Sequence, residues 1–90
     1  MFVRWTADAL AQLDAITAYI QERNFDAAER MRLLFEQTAE RIPNHPYMYR
    51  PGRVAGTREI VVHPNYIMVY RIGEETVRIL SVLHTRQQYP

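Results

Sequence analysis

The second half of the chain alternates between β-prone runs and short turns, and this pattern restricts the possible folds of the chain more than any other feature of the sequence. The runs cover residues 57–63, 66–72 and 76–84. Pro64-Asn65 separates the first two and Gly73-Glu74-Glu75 the last two. Proline fixes φ, and asparagine and glycine tolerate positive φ, so both segments are suited to tight turns. We therefore predict an antiparallel three-stranded meander.

Helical periodicity precedes the meander. Thr6 is a suitable N-cap, and apolar residues then recur at steps of three and four, which predicts a helix running to about Arg23. Asp26 and Glu29 fit a capping box for a second helix that ends before Pro43. With a short β-prone run at 2–5, the order is β-α-α-β-β-β. The prediction is one α+β domain over residues 1–90, with a helical hairpin packed on one face of a small antiparallel sheet.

The turn at Pro64-Asn65 assigns the strand residues to two faces. A two-residue loop places His63 opposite Tyr66, and the same register places Val61 opposite Met68 and Glu59 opposite Tyr70. The aliphatic face is expected to meet the helices, and it comprises Ile60, Val62, Ile67, Val69, Val77, Ile79, Ser81 and Leu83. The open face collects Glu59, His63, Tyr66, Tyr70, Arg78 and His84. A one-residue change in the last turn would invert the third strand.

The residue types on this open face permit two interpretations. Histidine, glutamate, tyrosine and arginine together can perform general acid–base chemistry on a phosphodiester without a metal. Tyrosine and methionine with a rim of charges are also typical of a surface for a protein partner, and we favour this second interpretation. The three histidines lack the spacing of a preformed metal site, and no phosphate-binding glycine motif occurs. We therefore predict no metal and no cofactor.

Composition excludes further classes of protein. The 90 residues contain no cysteine, so a disulfide framework and a thiol nucleophile are ruled out. No apolar stretch reaches the length of a membrane span, and we expect a cytoplasmic protein. All 11 basic residues are arginines. Residues 46–90 hold six arginines against three glutamates, so this half is the place to look for an anionic partner. The net charge of +1 is nevertheless small for a protein that binds phosphate backbones, and non-specific nucleic-acid binding is not the leading interpretation.

The order of the elements and several short segments resemble the RelE/ParE superfamily of toxins over nearly the whole chain. The segments are Trp5-Thr6, Asp26-Ala27-Ala28-Glu29-Arg30, Gly56-Thr57-Arg58-Glu59, Tyr66-Ile67-Met68-Val69-Tyr70-Arg71 and Val82-Leu83-His84-Thr85-Arg86-Gln87. The resemblance implies the toxin of a type II toxin–antitoxin module of the plasmid-stabilisation kind. Its partner would be a cognate antitoxin with a disordered tail, and a ribbon-helix-helix start to that antitoxin would fit the module.

The superfamily implies two different targets. RelE-like members cleave mRNA in the ribosomal A site, whereas ParE-like members poison DNA gyrase and depend on their C-terminal segment. The position before Met68, basic in several of the nucleases, is Ile67, and the chain has no lysine. We therefore favour a ParE-like, non-enzymatic gyrase inhibitor. A metal-independent endoribonuclease acting on ribosome and mRNA is the alternative.

The resemblance also implies which residues act. Target-binding residues for gyrase would be Arg58, His84, Arg86, Gln87, Gln88 and Tyr89. Catalytic residues of a ribonuclease would be Glu59, His63, His84, Arg86 and Tyr89. Antitoxin-binding residues would be Tyr66, Met68, Tyr70, Leu80 and Val82.

Overall fold

The computed structural model describes residues 1–90 and shows two helices packed against one face of a five-stranded sheet. The elements are β1 (Phe2–Trp5), α1 (Ala7–Gln21), α2 (Phe25–Arg41), a 3₁₀ turn (Ile42–Asn44), β2 (Arg50–Pro51), β3 (Arg58–His63), β4 (Tyr66–Ile72) and β5 (Thr76–His84). The strand order is β1-β5-β4-β3-β2. The α+β fold with a helical hairpin on one face of the sheet is confirmed.

The sheet is mixed, and in this it differs from the antiparallel sheet predicted. β3, β4 and β5 form the predicted meander, but β1 runs parallel to β5, with Val3 beside Val77. Parallel neighbours need a long connection, which the helices and the meander supply. The two residues of β2 add a short edge strand beside β3.

Side chains cap both helices at their N-termini. Thr6 Oγ1 accepts a hydrogen bond from Ala9 N at 3.1 Å, as predicted for α1. In α2 the cap is Asn24, whose Oδ1 accepts from Ala27 N at 3.0 Å. The predicted capping box at Asp26 is therefore wrong. Asp26 lies in the first helical turn, where its negative charge interacts favourably with the positive end of the helix dipole.

The core lies between the helices and the sheet. Ala9 and Leu13 of α1 and Phe35 and Ala39 of α2 are buried there. The sheet contributes Ile60, Met68, Tyr70, Val77, Ile79 and Val82. We term this side of the sheet the helix face and the opposite side the open face. No helix is long and apolar enough to cross a membrane.

An irregularity in β3 changes the face that β4 presents to the helices. His63 pairs with Tyr66 as predicted, but the register shifts between Val61 and His63. Consequently Ile60 pairs with Met68, and Glu59 pairs with Val69 rather than with Tyr70. An extra residue in one strand exchanges the faces of its partner. The prediction of an open face carrying Tyr66, Met68 and Tyr70 is therefore wrong.

A second register shift divides β5. Val77 and Ile79 face the helices as predicted, and Arg78 lies on the open face beside Arg71. Beyond the shift the predicted faces are reversed: Val82 and His84 lie on the helix face, and Ser81 and Leu83 lie on the open face. The strand contains one residue more than a regular pairing would allow.

Candidate functional site

The predicted catalytic residues do not converge on one face of the sheet. Glu59 pairs with Val69 on the open face. His63 and His84 lie at the far end of the sheet, on either side of Tyr66. The ring centroids of the two histidines are 6.0 and 5.5 Å from the Tyr66 centroid. The sheet therefore separates the only carboxylate of the predicted set from both imidazoles.

Both histidines are engaged in local turns. Asn65 N donates to His63 Nδ1 at 3.1 Å, and Arg86 N donates to His84 Nδ1 at 3.1 Å. In each ring Nδ1 accepts from a backbone N–H two residues further along the chain, and Nε2 has no hydrogen-bond partner within the chain.

Glu59 is a buried carboxylate held by two arginines. Its side chain is 3% exposed. Arg50 Nε donates to Oε1 at 3.2 Å, and Arg50 Nη2 lies 3.1 Å from the same oxygen as an ion pair. Arg53 donates to Oε2 through its backbone N–H at 3.2 Å, and its Nε lies 3.7 Å away. These contacts hold the loop before β3 in place. Because the carboxylate is buried, a substrate cannot reach it.

The residues after β5 cross the end of the sheet and return along the open face. Thr85 N donates to Asn65 O at 2.8 Å, which fixes the start of this tail (residues 85–90) to the β3–β4 turn. Near its end Tyr89 packs against Ile67, Val69 and Leu83. Arg53 Nη1 donates to Tyr89 O at 3.4 Å, and the guanidinium lies 5.8 Å from the Tyr89 ring centroid.

Because the tail is anchored at Thr85 and at Tyr89, its middle is held at the surface. Arg86, Gln87 and Gln88 are exposed between the two fixed ends. Three residues of the predicted target-binding set are thus held together on an ordered segment. Sequence reasoning missed Arg53, which joins Glu59 to Tyr89. The one available signal was an acidic residue inside a buried strand, which requires a cationic partner.

A groove of about 350 Å³ lies between α1 and the end of β5. It is lined by Gln12, Ala15, Ile16, Tyr19, Tyr66, Val82, His84 and Gln87. We term it the α1 groove. The Tyr19 residue is 59% exposed, and Gln12 Oε1 accepts from Val82 N at 2.7 Å where β5 extends beyond β1. Gln87 joins this groove to the tail.

The predicted antitoxin-binding residues are only partly accessible. Met68, Tyr70 and Val82 are buried between the sheet and the helices, so they cannot form a surface floor. Tyr70 donates its hydroxyl to Pro46 O, and burial raises its pKa from 10.0 to about 12. Tyr66 and Leu80 are half-buried. They remain the accessible part of the predicted set.

Arg58, also predicted to bind the target, is bound to the loop between α2 and β2. Its Nη1 donates to Tyr47 O at 3.1 Å and to Tyr49 O at 2.6 Å. The guanidinium also lies 5.2 Å from the Tyr47 ring centroid. Through these contacts the Arg58 side chain stabilises the loop. No cluster of three or more histidine, aspartate or glutamate side chains is arranged to hold a metal ion.

Similar proteins agree on the class of this chain. Residues 3–89 match the family model described as the ParE toxin of the type II toxin–antitoxin system, parDE. The chain is 42% identical over 89 residues to Y4kP of Sinorhizobium fredii, a protein named as a toxin, with 98% of this chain and 92% of that protein covered. It is 37% identical over 84 residues to Toxin RelE2 of Caulobacter vibrioides, with 91% and 92% covered.

The fold is shared with solved toxin structures. A structure of the chromosomal ParDE system from P. aeruginosa superposes with a TM-score of 0.83 at 20% identity, covering 93% of this chain and 95% of that chain. A YoeB/ParE toxin from Agrobacterium tumefaciens gives 0.68 at 14% identity, covering 99% and 100%. The family model spans almost all of the chain, and both relatives exceed 30% identity over nearly their full lengths. The chain therefore belongs to the ParE toxin family of the RelE/ParE superfamily and is a toxin of a type II toxin–antitoxin system.

Proposed function

We propose that this toxin acts on DNA gyrase, and that it does so by binding through its C-terminal tail rather than by hydrolysis. The surface involved is the exposed segment Arg86-Gln87-Gln88 between its two anchors. We expect the protein to act in the cytoplasm, as part of a plasmid-stabilisation type of module.

The division of the predicted catalytic residues between two faces is the observation that carries this proposal. Acid–base catalysis requires its groups within hydrogen-bond reach of the same substrate atoms. Glu59 is buried on the open face, whereas His63 and His84 border Tyr66 on the helix face. A toxin that acts by binding needs no such convergence, and its tail needs only to be ordered and exposed.

The endoribonuclease remains the second candidate because one observation favours it. Tyr66 lies between His63 and His84, so two titratable rings and a phenol share one end of the sheet. One relative also carries the name RelE2, whereas the matching family model is that of ParE. The names of the relatives thus point to both branches of the superfamily.

A toxin of this class implies a neutralising antitoxin, and we propose that the antitoxin covers the α1 groove. The groove presents apolar side chains beside exposed polar ones, which suits an amphipathic segment that folds on binding. Gln87 lines the groove and also belongs to the tail. An antitoxin bound there would contact the proposed target-binding segment directly.

Induction in bacterial cells distinguishes the two targets. DNA breakage and the DNA-damage response are followed beside primer extension on a reporter mRNA. The proposal expects gyrase-dependent DNA breaks with intact mRNA. Codon-positioned cuts in the mRNA without DNA breaks would overturn it in favour of the endoribonuclease.

Changes in the tail should separate toxicity from antitoxin binding. We expect deletion of residues 86–90, or replacement of Arg86 by alanine, to abolish growth inhibition while antitoxin capture is largely kept. The deletion also removes Tyr89 and with it the apolar contacts that anchor the tail, whereas Arg86→Ala leaves that anchor in place. Arg30→Ala, which removes an exposed arginine from α2, is the matched control. Full toxicity of both tail variants would refute the role of the tail.

A further inference from the structure

Three arginines lie side by side across neighbouring strands on the open face. Arg4 of β1 pairs with Arg78 of β5, and Arg78 pairs with Arg71 of β4. All three residues are exposed. Because adjacent strands are about 4.8 Å apart, the three positions span about 10 Å. We term this set the arginine row.

The arginine row has no acidic partner within the chain. The three guanidinium–carboxylate pairs of the structure use Arg32, Arg50 and Arg53. Glu74 and Glu75 in the adjoining turn form no ion pair with the row. Like charges directly opposite each other destabilise a sheet. An exposed row of this kind is therefore suited to an external anion that supplies the missing counter-charge.

The loop before β3 borders one end of the row. A Cβ placed on Gly56, whose φ is 82°, would lie 2.7 Å from Arg71 Nη1. Glycine adopts this φ readily and leaves room for the guanidinium beside the backbone. The loop thus borders the Arg71 charge on one side.

The surroundings of the row favour a nucleic acid over an acidic protein. Protein interfaces are built around apolar residues that become buried. The central apolar residues of this face, Ile67, Val69 and Leu83, are covered by Tyr89. Its exposed apolar side chains, Phe2 of β1 and Val61 of β3, are isolated from each other by the two strands between them and form no continuous patch. Affinity for a nucleic acid comes instead from charge neutralisation at phosphates. About 10 Å along a duplex axis contains about three phosphates of one strand, which matches three arginines.

We propose that the arginine row binds the phosphodiester backbone of duplex DNA, independently of base sequence. The choice of DNA rests on the proposed function, because gyrase holds duplex DNA while it acts. The row would place the toxin against the DNA, and the tail would contact the enzyme. The two surfaces use different residues and are separable by mutation.

The test is fluorescence anisotropy of the purified full-length chain with a labelled 16-base-pair duplex over a range of salt concentrations. The test variant is Arg4→Gln/Arg71→Gln/Arg78→Gln. The control is Arg23→Gln/Arg30→Gln/Arg41→Gln, which removes three exposed charges from the helical hairpin. Each phosphate contact contributes about −0.9 to the slope of log K against log salt, so losing three should flatten the slope by about 2.7. We expect at least a tenfold loss of low-salt affinity in the test variant and less than a threefold loss in the control.

Thermal unfolding accompanies the binding measurement. Removing the repulsion should leave the test variant at least as stable as the unmodified chain, so lost binding would not reflect unfolding. Equal losses in both variants would overturn the inference, as would the absence of binding. Tighter binding of a glutamate-rich peptide to the row would also overturn it, in favour of an acidic protein segment.

This experiment contains no gyrase, and its failure is therefore distinct from failure of the proposed function. A chain that breaks DNA in cells without binding the duplex contradicts only the role of the arginine row. A chain that binds the duplex but cuts mRNA in cells contradicts only the choice of target.

Discussion

Replacing Glu59 by glutamine tests whether burial, rather than contact distance, determines how much an ion pair contributes to the free energy of unfolding of this fold. The substitution keeps the shape of a side chain that is 3% exposed and removes its charge. One hydrogen bond from Arg50 Nε and one from the Arg53 backbone lose their ionic acceptor, and the ion-pair contact of Arg50 Nη2 loses its negative charge. The new amide group also brings a donor close to the Arg53 N–H.

The expected cost follows from these contacts. A hydrogen bond to a charged group contributes roughly 1 kcal/mol more than a neutral one. Arg50 and Arg53 are half-exposed and regain water, which offsets part of the loss. We therefore expect Glu59→Gln to lower the free energy of unfolding by about 2 kcal/mol. For a domain of this size that loss corresponds to a fall in Tm of about 8–16 °C.

Asp14→Asn is the matched control. Asp14 and Arg32 approach to 2.7 Å, closer than any contact of Glu59, but the Asp14 side chain is 66% exposed. An exposed pair contributes only about 0–1 kcal/mol because water screens it. Chemical and thermal denaturation of both variants measure the difference. Equal destabilisation by the two substitutions, or a change below about 0.5 kcal/mol for Glu59→Gln, would refute the reasoning.

Two further predictions concern the core and the α1 groove. Burial raises the pKa of Tyr70 from 10.0 to about 12, so the folded chain holds this proton more tightly than the unfolded chain. The resulting stabilisation is complete below pH 10 and is lost as pH rises through about 12. An ultraviolet titration should show one phenol ionising near that pH, and Tyr70→Phe should remove this step. In the α1 groove, Tyr19→Glu should abolish antitoxin rescue of growth while toxicity is kept. Leu33→Glu, at another exposed apolar residue of the hairpin, should leave rescue intact, and equal effects of the two would contradict the placement of the antitoxin.

Local signals in the sequence were sufficient for β1, both helices and the three strands of the meander in their order, but not for the two-residue edge strand β2. Thr6 caps α1 as predicted, and Pro64-Asn65 connects β3 to β4 with His63 opposite Tyr66. These features depend on residues close together in the chain, where backbone preferences act directly. The fold class follows from them, since an amphipathic hairpin must bury its apolar face against the sheet.

The faces of the sheet could not be predicted in the same way. One additional residue in β3 and another in β5 reversed parts of both pairings, and neither has a glycine or other local marker. The register places the large side chains Met68 and Tyr70 against the helices. Ile67 and Val69 remain on the open face, where Tyr89 covers them. This choice depends on packing between residues far apart in sequence.

The candidate site depended on the same distant contacts. Gly73 and Pro64 marked their turns, but nothing near Arg53 indicates that it joins Glu59 to Tyr89. Glu59 has the residue type of a catalytic acid, and burial beside two arginines gives it a structural role instead. Residue type therefore identified the charged side chains, whereas the fold decided which of them are exposed.

The most direct test of the proposed function is a cleavage assay with purified gyrase, ATP and supercoiled plasmid. The account predicts that the intact chain makes linear plasmid accumulate, and that the chain lacking residues 86–90 does not. Arg30→Ala should behave like the intact chain. Unchanged plasmid with the intact chain, together with cleavage of mRNA on purified ribosomes, would contradict the account.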